Sequence, residues 1–209
     1  MKIDKHLRKK GYSLVEVIVA LTISVAVIGG VMSFYIQFYK VSFINEQKNK
    51  INHDMRQLTG ELTRAGRQAN DHFIYKSIST ADRDTASDRL LTDSSGDFLL
   101  FIYKDNSTEV EISKIIGYFR ENNGDDLGPV RRFERDFSPA SNLPMESLIP
   151  APQQLKNSPK VIELSKGLAD GRLFYNFLGR SIIINGQIYH GNNAKRVTET
   201  YNFTISPRG

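Results

Sequence analysis

Apolar residues dominate the chain from Tyr12 to Tyr39, and Glu16 is the only charge among them. About 20 apolar residues carry a helix across a bilayer core, and residues 17–36 supply that length without a charge. The run does not alternate polar and apolar faces, as a helix lying on a globular core would. A secretory signal has an apolar region of only about 7–15 residues and then a small-residue cleavage site. Here the far flank reads Phe38, Tyr39, Lys40. The pattern therefore predicts a retained membrane helix.

Beyond Lys40 the period changes. Ile44, Ile51, Met55, Leu58, Leu62, Ala65 and Ala69 follow one another at steps of three, four or seven residues, one stripe on a helix. A single helix is predicted over about 13–69, lipid-facing first and amphipathic after, with Gly60 and Gly66 weakening its second half. Residues 71–97 are polar and read as a surface connection with one short strand or helical turn. β-Branched and aromatic runs then predict strands at 98–104, 109–120, 130–135, 160–165, 172–178 and 196–205. Residues 182–184 and 187–189 flank Asn185-Gly186, a strong hairpin signal. Glu121-Asn122-Asn123-Gly124 predicts a turn. Residues 137–159 hold five of the seven prolines and predict a long irregular loop. No helical pattern follows residue 97, so the sheet should be antiparallel. The expected fold is α+β: a long N-terminal helix packed on an antiparallel sheet.

Charge divides the chain unevenly. Residues 1–11 hold five basic residues (Lys2, Lys5, Arg8, Lys9, Lys10) and Asp4, and the remainder holds 23 basic and 22 acidic residues. The overall charge of +5 therefore comes mostly from the head, and a nucleic-acid partner is not expected. Arg131-Arg132, Arg135 and Lys195-Arg196 read as solvated strand faces. A basic head holds the N-terminus in the cytoplasm and sends the rest outward, with Tyr35 and Tyr39 at the outer interface.

A lone carboxylate in an apolar helix is costly in lipid and calls for a function. Ser13-Leu14-Val15-Glu16 also forms a capping-box pattern, where the helix dipole favours a negative charge. Both readings of Glu16 stay open. The basic head, Gly11, Glu16 and the apolar run together resemble the processing signal of type IV pilins and the pseudopilins of type II secretion. The resemblance implies a pilin-like fold and cleavage by prepilin peptidase between Gly11 and Tyr12. It also implies N-methylation of Tyr12, where phenylalanine is commoner, and Glu16 as the fifth mature residue. The new ammonium of Tyr12 and the carboxylate of Glu16 could then pair between neighbouring subunits, because opposite charges in a low-dielectric site attract strongly. The segment MRQLTGELTRAGRQAND, with Arg64-Ala65-Gly66 near its end, is similar to PilW-type minor pilins and J-type minor pseudopilins.

The expected organisation is a cleaved leader at 1–11, a transmembrane and assembly helix at 12–39, its amphipathic continuation at 40–70 and a soluble β-rich domain at 71–209. Gly29-Gly30 either lets the helix stretch within a filament or allows close packing through small residues. No cofactor, metal site or catalytic residue is expected. The chain has no cysteine, and His6, His53, His72 and His190 have no ligand spacing. Asp84, Asp88, Asp93 and Asp97 could offer oxygens to calcium, without EF-hand spacing. Asn106-Ser107-Thr108 and Asn202-Phe203-Thr204 match glycosylation sequons and are read as chance.

The leading expectation is a minor pilin or minor pseudopilin acting in filament initiation or at the tip. Its partners would be prepilin peptidase, other pilins or pseudopilins, the inner-membrane assembly platform and membrane lipid. The alternatives are a ligand-binding adhesin or DNA-uptake pilin using the 137–159 loop or the basic clusters, and a membrane-anchored enzyme or sensor with no filament.

Overall fold

The computed structural model describes residues 11–105, 110–121, 127–168, 170–192 and 195–207. The five basic residues of the head, Asn106-Ser107-Thr108 and Asn122-Asn123-Gly124 lie outside the described residues. Two compact units are present, Met1–Glu46 and Gln47–Gly209, and each is taken by itself.

In the first unit, α1 (Leu14–Gln68) begins one residue after Ser13. Every residue from Gly11 to Ser42 is exposed, and α1 is long and apolar enough to cross a membrane. Its hydroxyls are satisfied internally: Thr22 Oγ1 donates to the Ile18 carbonyl and Ser24 Oγ to that of Ala20, both at 2.8 Å. That suits a segment with no water to turn to.

In the second unit, the end of α1 buries Gln47, Ile51, Leu58, Leu62, Ala65 and Gly66. The stripe is as the periodicity predicts from Ile51 onward, whereas Ile44 is exposed. The strands are β1 (Asp71–Tyr75), β2 (Ser95–Gly96), β3 (Phe98–Lys104), β4 (Ile112–Arg120), β5 (Leu127–Ser141), β6 (Lys160–Gly167), β7 (Phe174–Phe177), β8 (Ser181–Asn192) and β9 (Lys195–Ile205). They form one sheet in the order β1-β3-β4-β5-β6-β8-β7-β2, with β9 also paired to β8. All these pairings are antiparallel, which agrees with the α+β expectation.

Both faces of the sheet are covered around β3, so its apolar run is continuous rather than alternating. Leu99 and Phe101 join the core under α1, together with Ile116, Tyr118, Val130, Ile162, Ile184, Ile188 and Ile205. Phe98, Leu100 and Ile102 belong to a second core with Ile115, Phe119 and Phe133. The lid of that second core is the proline-rich segment. Residues 137–159 are not a free loop: β5 runs on to Ser141, and the short helices α2 (Met145–Leu148) and α3 (Pro152–Leu155) follow. Met145, Leu148, Ile149 and Leu155 are buried there. The prolines shape the turns that lay these apolar residues on the sheet. Likewise, part of the polar stretch 71–97 is structural, since β1 pairs with β3 and buries Ile74 and Tyr75.

The Asn185-Gly186 turn does not form. β8 passes straight through, pairing Asn185 with Asn202 and Gly186 with Tyr201. A Cβ at Gly186 would lie 2.6 Å from the Tyr201 hydroxyl oxygen and 2.9 Å from the Lys166 carbonyl oxygen. The glycine makes room for a buried tyrosine instead of turning the chain, one of the two uses of glycine inside a strand. The connection between β8 and β9 falls after Asn192.

Candidate processing and assembly site

The first turn of α1 carries the residues singled out from the sequence. Gly11, Tyr12 and Ser13 precede the helix. The Ser13 N–H donates to Glu16 Oε2 at 2.9 Å, and the Glu16 N–H donates to Ser13 Oγ at 3.3 Å. That is the reciprocal capping box the sequence suggests. The Val17 N–H closes the first helical bond on the Ser13 carbonyl at 3.2 Å. One carboxylate oxygen of Glu16 is thus engaged by its own helix, while Oε1 accepts nothing among the described residues. Capping and an intermolecular contact can coexist on the two oxygens.

Tyr12 is 87% exposed. A Cβ at Gly11 would meet nothing within 4 Å, so the backbone on both sides of the expected cut is open to another protein. Tyr12, Glu16, Val17, Ala20, Leu21 and Ser24 line one shallow concavity along the helix face. At Gly29 and Gly30 an added Cβ would also meet nothing within 4 Å, and α1 is continuous through both. Packing within the chain therefore gives no reason for either glycine.

Gly66 differs. A Cβ there would lie 2.8 Å from Ile205 Cγ2 and 3.4 Å from Phe101 Cε1. The neighbouring Ala65 carbonyl accepts a hydrogen bond from the Tyr103 hydroxyl at 2.9 Å. The Arg64-Ala65-Gly66 step is where the helix backbone approaches the sheet.

In the second unit the other candidate residues have internal partners. Arg131 donates to Glu121 Oε2 at 3.0 Å and to the Ser158 carbonyl at 2.7 Å. Arg132 bridges Glu134 and lies 3.9 Å from Glu61 Oε2. Arg135 donates to the Leu148 carbonyl at 3.1 Å, and neither Lys195 nor Arg196 is free. The Asp series does not converge. Asp88 accepts from the Thr85 N–H at 2.8 Å, Asp93 accepts from the Tyr175 hydroxyl at 3.2 Å, and Asp97 points into the fold. Among the described residues no group of three His, Asp or Glu side chains could hold a metal.

The sequence reading missed the pair that Asp97 forms with Arg120. Arg120 Nε donates to Asp97 Oδ1 at 3.1 Å and Nη2 to Oδ2 at 2.7 Å. The Leu173 N–H adds a bond to Oδ1 at 3.2 Å. Burial pushes the Asp97 carboxyl up, and the hydrogen bond and charge of Arg120, the charge of Arg172 and the Leu173 N–H oppose it. The partners stand 23 residues apart, and no local pattern links them.

Residues 6–32 match the family model described as the prokaryotic N-terminal methylation motif. The chain carries the signal of type IV pilins and pseudopilins. The matched stretch contains Gly11, Tyr12, Glu16, Gly29 and Gly30. No curated protein and no solved structure matches the chain. The motif supports a type IV pilin-like or pseudopilin precursor, and the layout already described, a long N-terminal helix followed by an antiparallel sheet, is pilin-like.

Proposed function

We propose that the chain is a minor pilin or minor pseudopilin, a structural subunit that prepilin peptidase cuts between Gly11 and Tyr12. In this reading residues 1–11 form the leader and Tyr12 becomes the methylated N-terminus. Residues 12–39 lodge in the inner membrane, and residues 40–70 continue the helix into an extracytoplasmic domain at 71–209. The subunit then joins the initiating or tip complex of a type IV pilus or secretion pseudopilus. The observation that carries the proposal lies within the matched motif: an exposed apolar run, residues 12–32, whose only acid, Glu16, keeps one carboxylate oxygen open four residues from the expected cut.

The physical driver is the cost of a carboxylate at the lipid boundary. Pairing with the new ammonium of a neighbouring subunit offsets that cost in a low-dielectric setting. Gly29-Gly30 gives that helix a point of weak local propensity, useful where packed subunits must adjust their length. The ligand-binding alternative would use the exposed side of 137–159, because Met145, Leu148, Ile149 and Leu155 face the second core. It would also use basic side chains of which Arg131 and Arg135 already have internal partners.

Mass spectrometry of the mature chain from its own cells tests the proposal. The expected product starts at Tyr12 and carries one added methyl group on its amine. A product retaining Met1, or starting at any residue other than Tyr12, overturns it.

A further inference from the structure

Leu178 occupies the turn from β7 to β8 at φ 54°, and Gly179 follows at 66°. The Arg180 N–H closes this turn on the Phe177 carbonyl at 3.2 Å, and Phe177 pairs with Ser181. Two successive left-handed residues suit glycine or asparagine, whereas the Cβ of leucine makes the conformation unfavourable. Burial does not compensate, since Leu178 is 61% exposed. Asparagine would make the same turn at lower cost, so folding does not explain the leucine. An observed outlier of this kind is grounds for a functional hypothesis.

A second loop, residues 90–94, is tied to β7 just ahead of this turn. The Asp93 N–H donates to the Asn176 carbonyl at 2.8 Å, and the Asn176 N–H donates to the Ser94 carbonyl at 2.9 Å. Asn176 Nδ2 donates to the Leu90 carbonyl at 3.2 Å, and the Tyr175 hydroxyl donates to Asp93 Oδ1 at 3.2 Å. Asp93, at φ 64°, is the other non-glycine residue with positive φ among the described residues. Leu91 on this loop is 80% exposed, and Phe177 is 42% exposed. Among the described residues of Gln47–Gly209, five large hydrophobic side chains are exposed; Leu91, Phe177 and Leu178 are three of them, and Val110 and Leu143 are the others. Asn176 Oδ1 is buried and accepts no hydrogen bond among the described residues. Arg180 is exposed beside Leu178, and its guanidinium has no partner among the described residues.

We propose that these two loops form a docking knob for another protein of the same assembly, one whose soluble domain offers an apolar socket with a carboxylate at its rim opposite Arg180. The proposal rests on the pilin-subunit reading and adds a contact surface outside the helix. Preformed apolar anchors on a rigid support are what an interface centre uses, and four hydrogen bonds supply the support here. A bilayer suits the knob less, because membrane-surface segments combine apolar side chains with several cations and this knob offers one arginine and one aspartate. A second copy suits it less too, since an isologous contact would bring the same cation, Arg180, from both copies into one interface with no complementary carboxylate gained.

The test places a photo-cross-linking residue at Leu91 or Leu178 of the full chain, with Leu143 as the control, in cells of its source that are assembling filaments. The expected adducts form from positions 91 and 178 and not from 143, with a protein that itself carries an N-terminal methylation motif. Leu178→Asn should raise the unfolding temperature of the purified chain while lowering its recovery in sheared filaments by about tenfold or more, the effect of losing one interface anchor. Arg180→Lys should keep recovery and Arg180→Glu lose it. Adducts that are absent, equal at the control, made with lipid or a second copy, or made with a protein lacking the motif overturn the proposal. So does undiminished recovery of Leu178→Asn. A chain still carrying Met1 in these cells sinks the pilin reading itself; a chain starting at Tyr12 without the expected adducts sinks only the knob.

Discussion

Arg120 grips Asp97 with two nitrogens, at 3.1 and 2.7 Å, and both side chains are withdrawn from solvent. The pair joins the end of β4 to the residue just before β3, and Asp97 also takes the Leu173 N–H ahead of β7. Three segments of the sheet meet on one carboxylate. Removing one member of a buried pair leaves an uncompensated charge, at a cost of about 3–5 kcal/mol. Arg120→Met and Asp97→Leu should each lose that much in urea unfolding of the full chain in detergent, and the double variant should lose less than either single. Single variants within about 1 kcal/mol of the parent would show that the pair does not organise the sheet.

One substitution, glycine to alanine, should change stability in opposite directions along the same helix. At Gly60 an added Cβ meets nothing within 4 Å, and alanine should stabilise by up to about 1 kcal/mol through helix propensity. At Gly66 the Cβ would press on Ile205 and Phe101, and overpacking of about 1–3 kcal/mol should exceed the gain. Thermal unfolding of the two variants side by side checks the sign. A stabilised Gly66→Ala would mean that the helix can lift from the sheet freely.

The two roles of Glu16 separate by mutation. Glu16→Gln keeps a residue that can complete the capping box but removes the charge. Ser13→Ala keeps the charge and removes a cap of about 0.5–2 kcal/mol. Under the proposed function the first variant is processed but absent from filaments, and the second is processed and incorporated. Immunoblots of membrane and sheared fractions read both, and the reverse pattern would assign Glu16 to capping alone.

Acid should weaken the second unit through His72. Burial lowers its pKa from 6.5, and the charge of Asp71 opposes that shift only in part. The folded chain therefore resists a proton that the unfolded chain accepts just below pH 6.5. Stability attributable to His72 is full above that pH and falls as pH drops through the lowered folded value. The drop in melting temperature between pH 7.5 and 5.5 should be smaller in His72→Gln than in the parent, with both melts made in the full chain. An equal drop would assign the acid sensitivity to other groups.

What could be read from the chain itself was local. The basic head, Gly11, Glu16 and the apolar run all lie within the first 39 residues, and their meaning depends only on spacing along the sequence. The stripe from Ile51 to Ala65 and the β3 run are legible for the same reason, because period and composition act within a single element.

Tertiary structure decided the features that depend on distant partners. Asn185-Gly186 has the residues of a turn, yet Tyr201 fills the space above the glycine and the strand continues. The prolines at 139–159 promised an irregular loop, yet Met145, Leu148, Ile149 and Leu155 close a second core. Asp97 resembled its solvated neighbours until Arg120 arrived from the next strand but one in sequence. Short-range periodicity fixes which face an element presents, while the identity of what meets that face depends on chain closure over tens of residues. Burial and hydrogen-bond satisfaction, rather than local propensity, then choose the outcome.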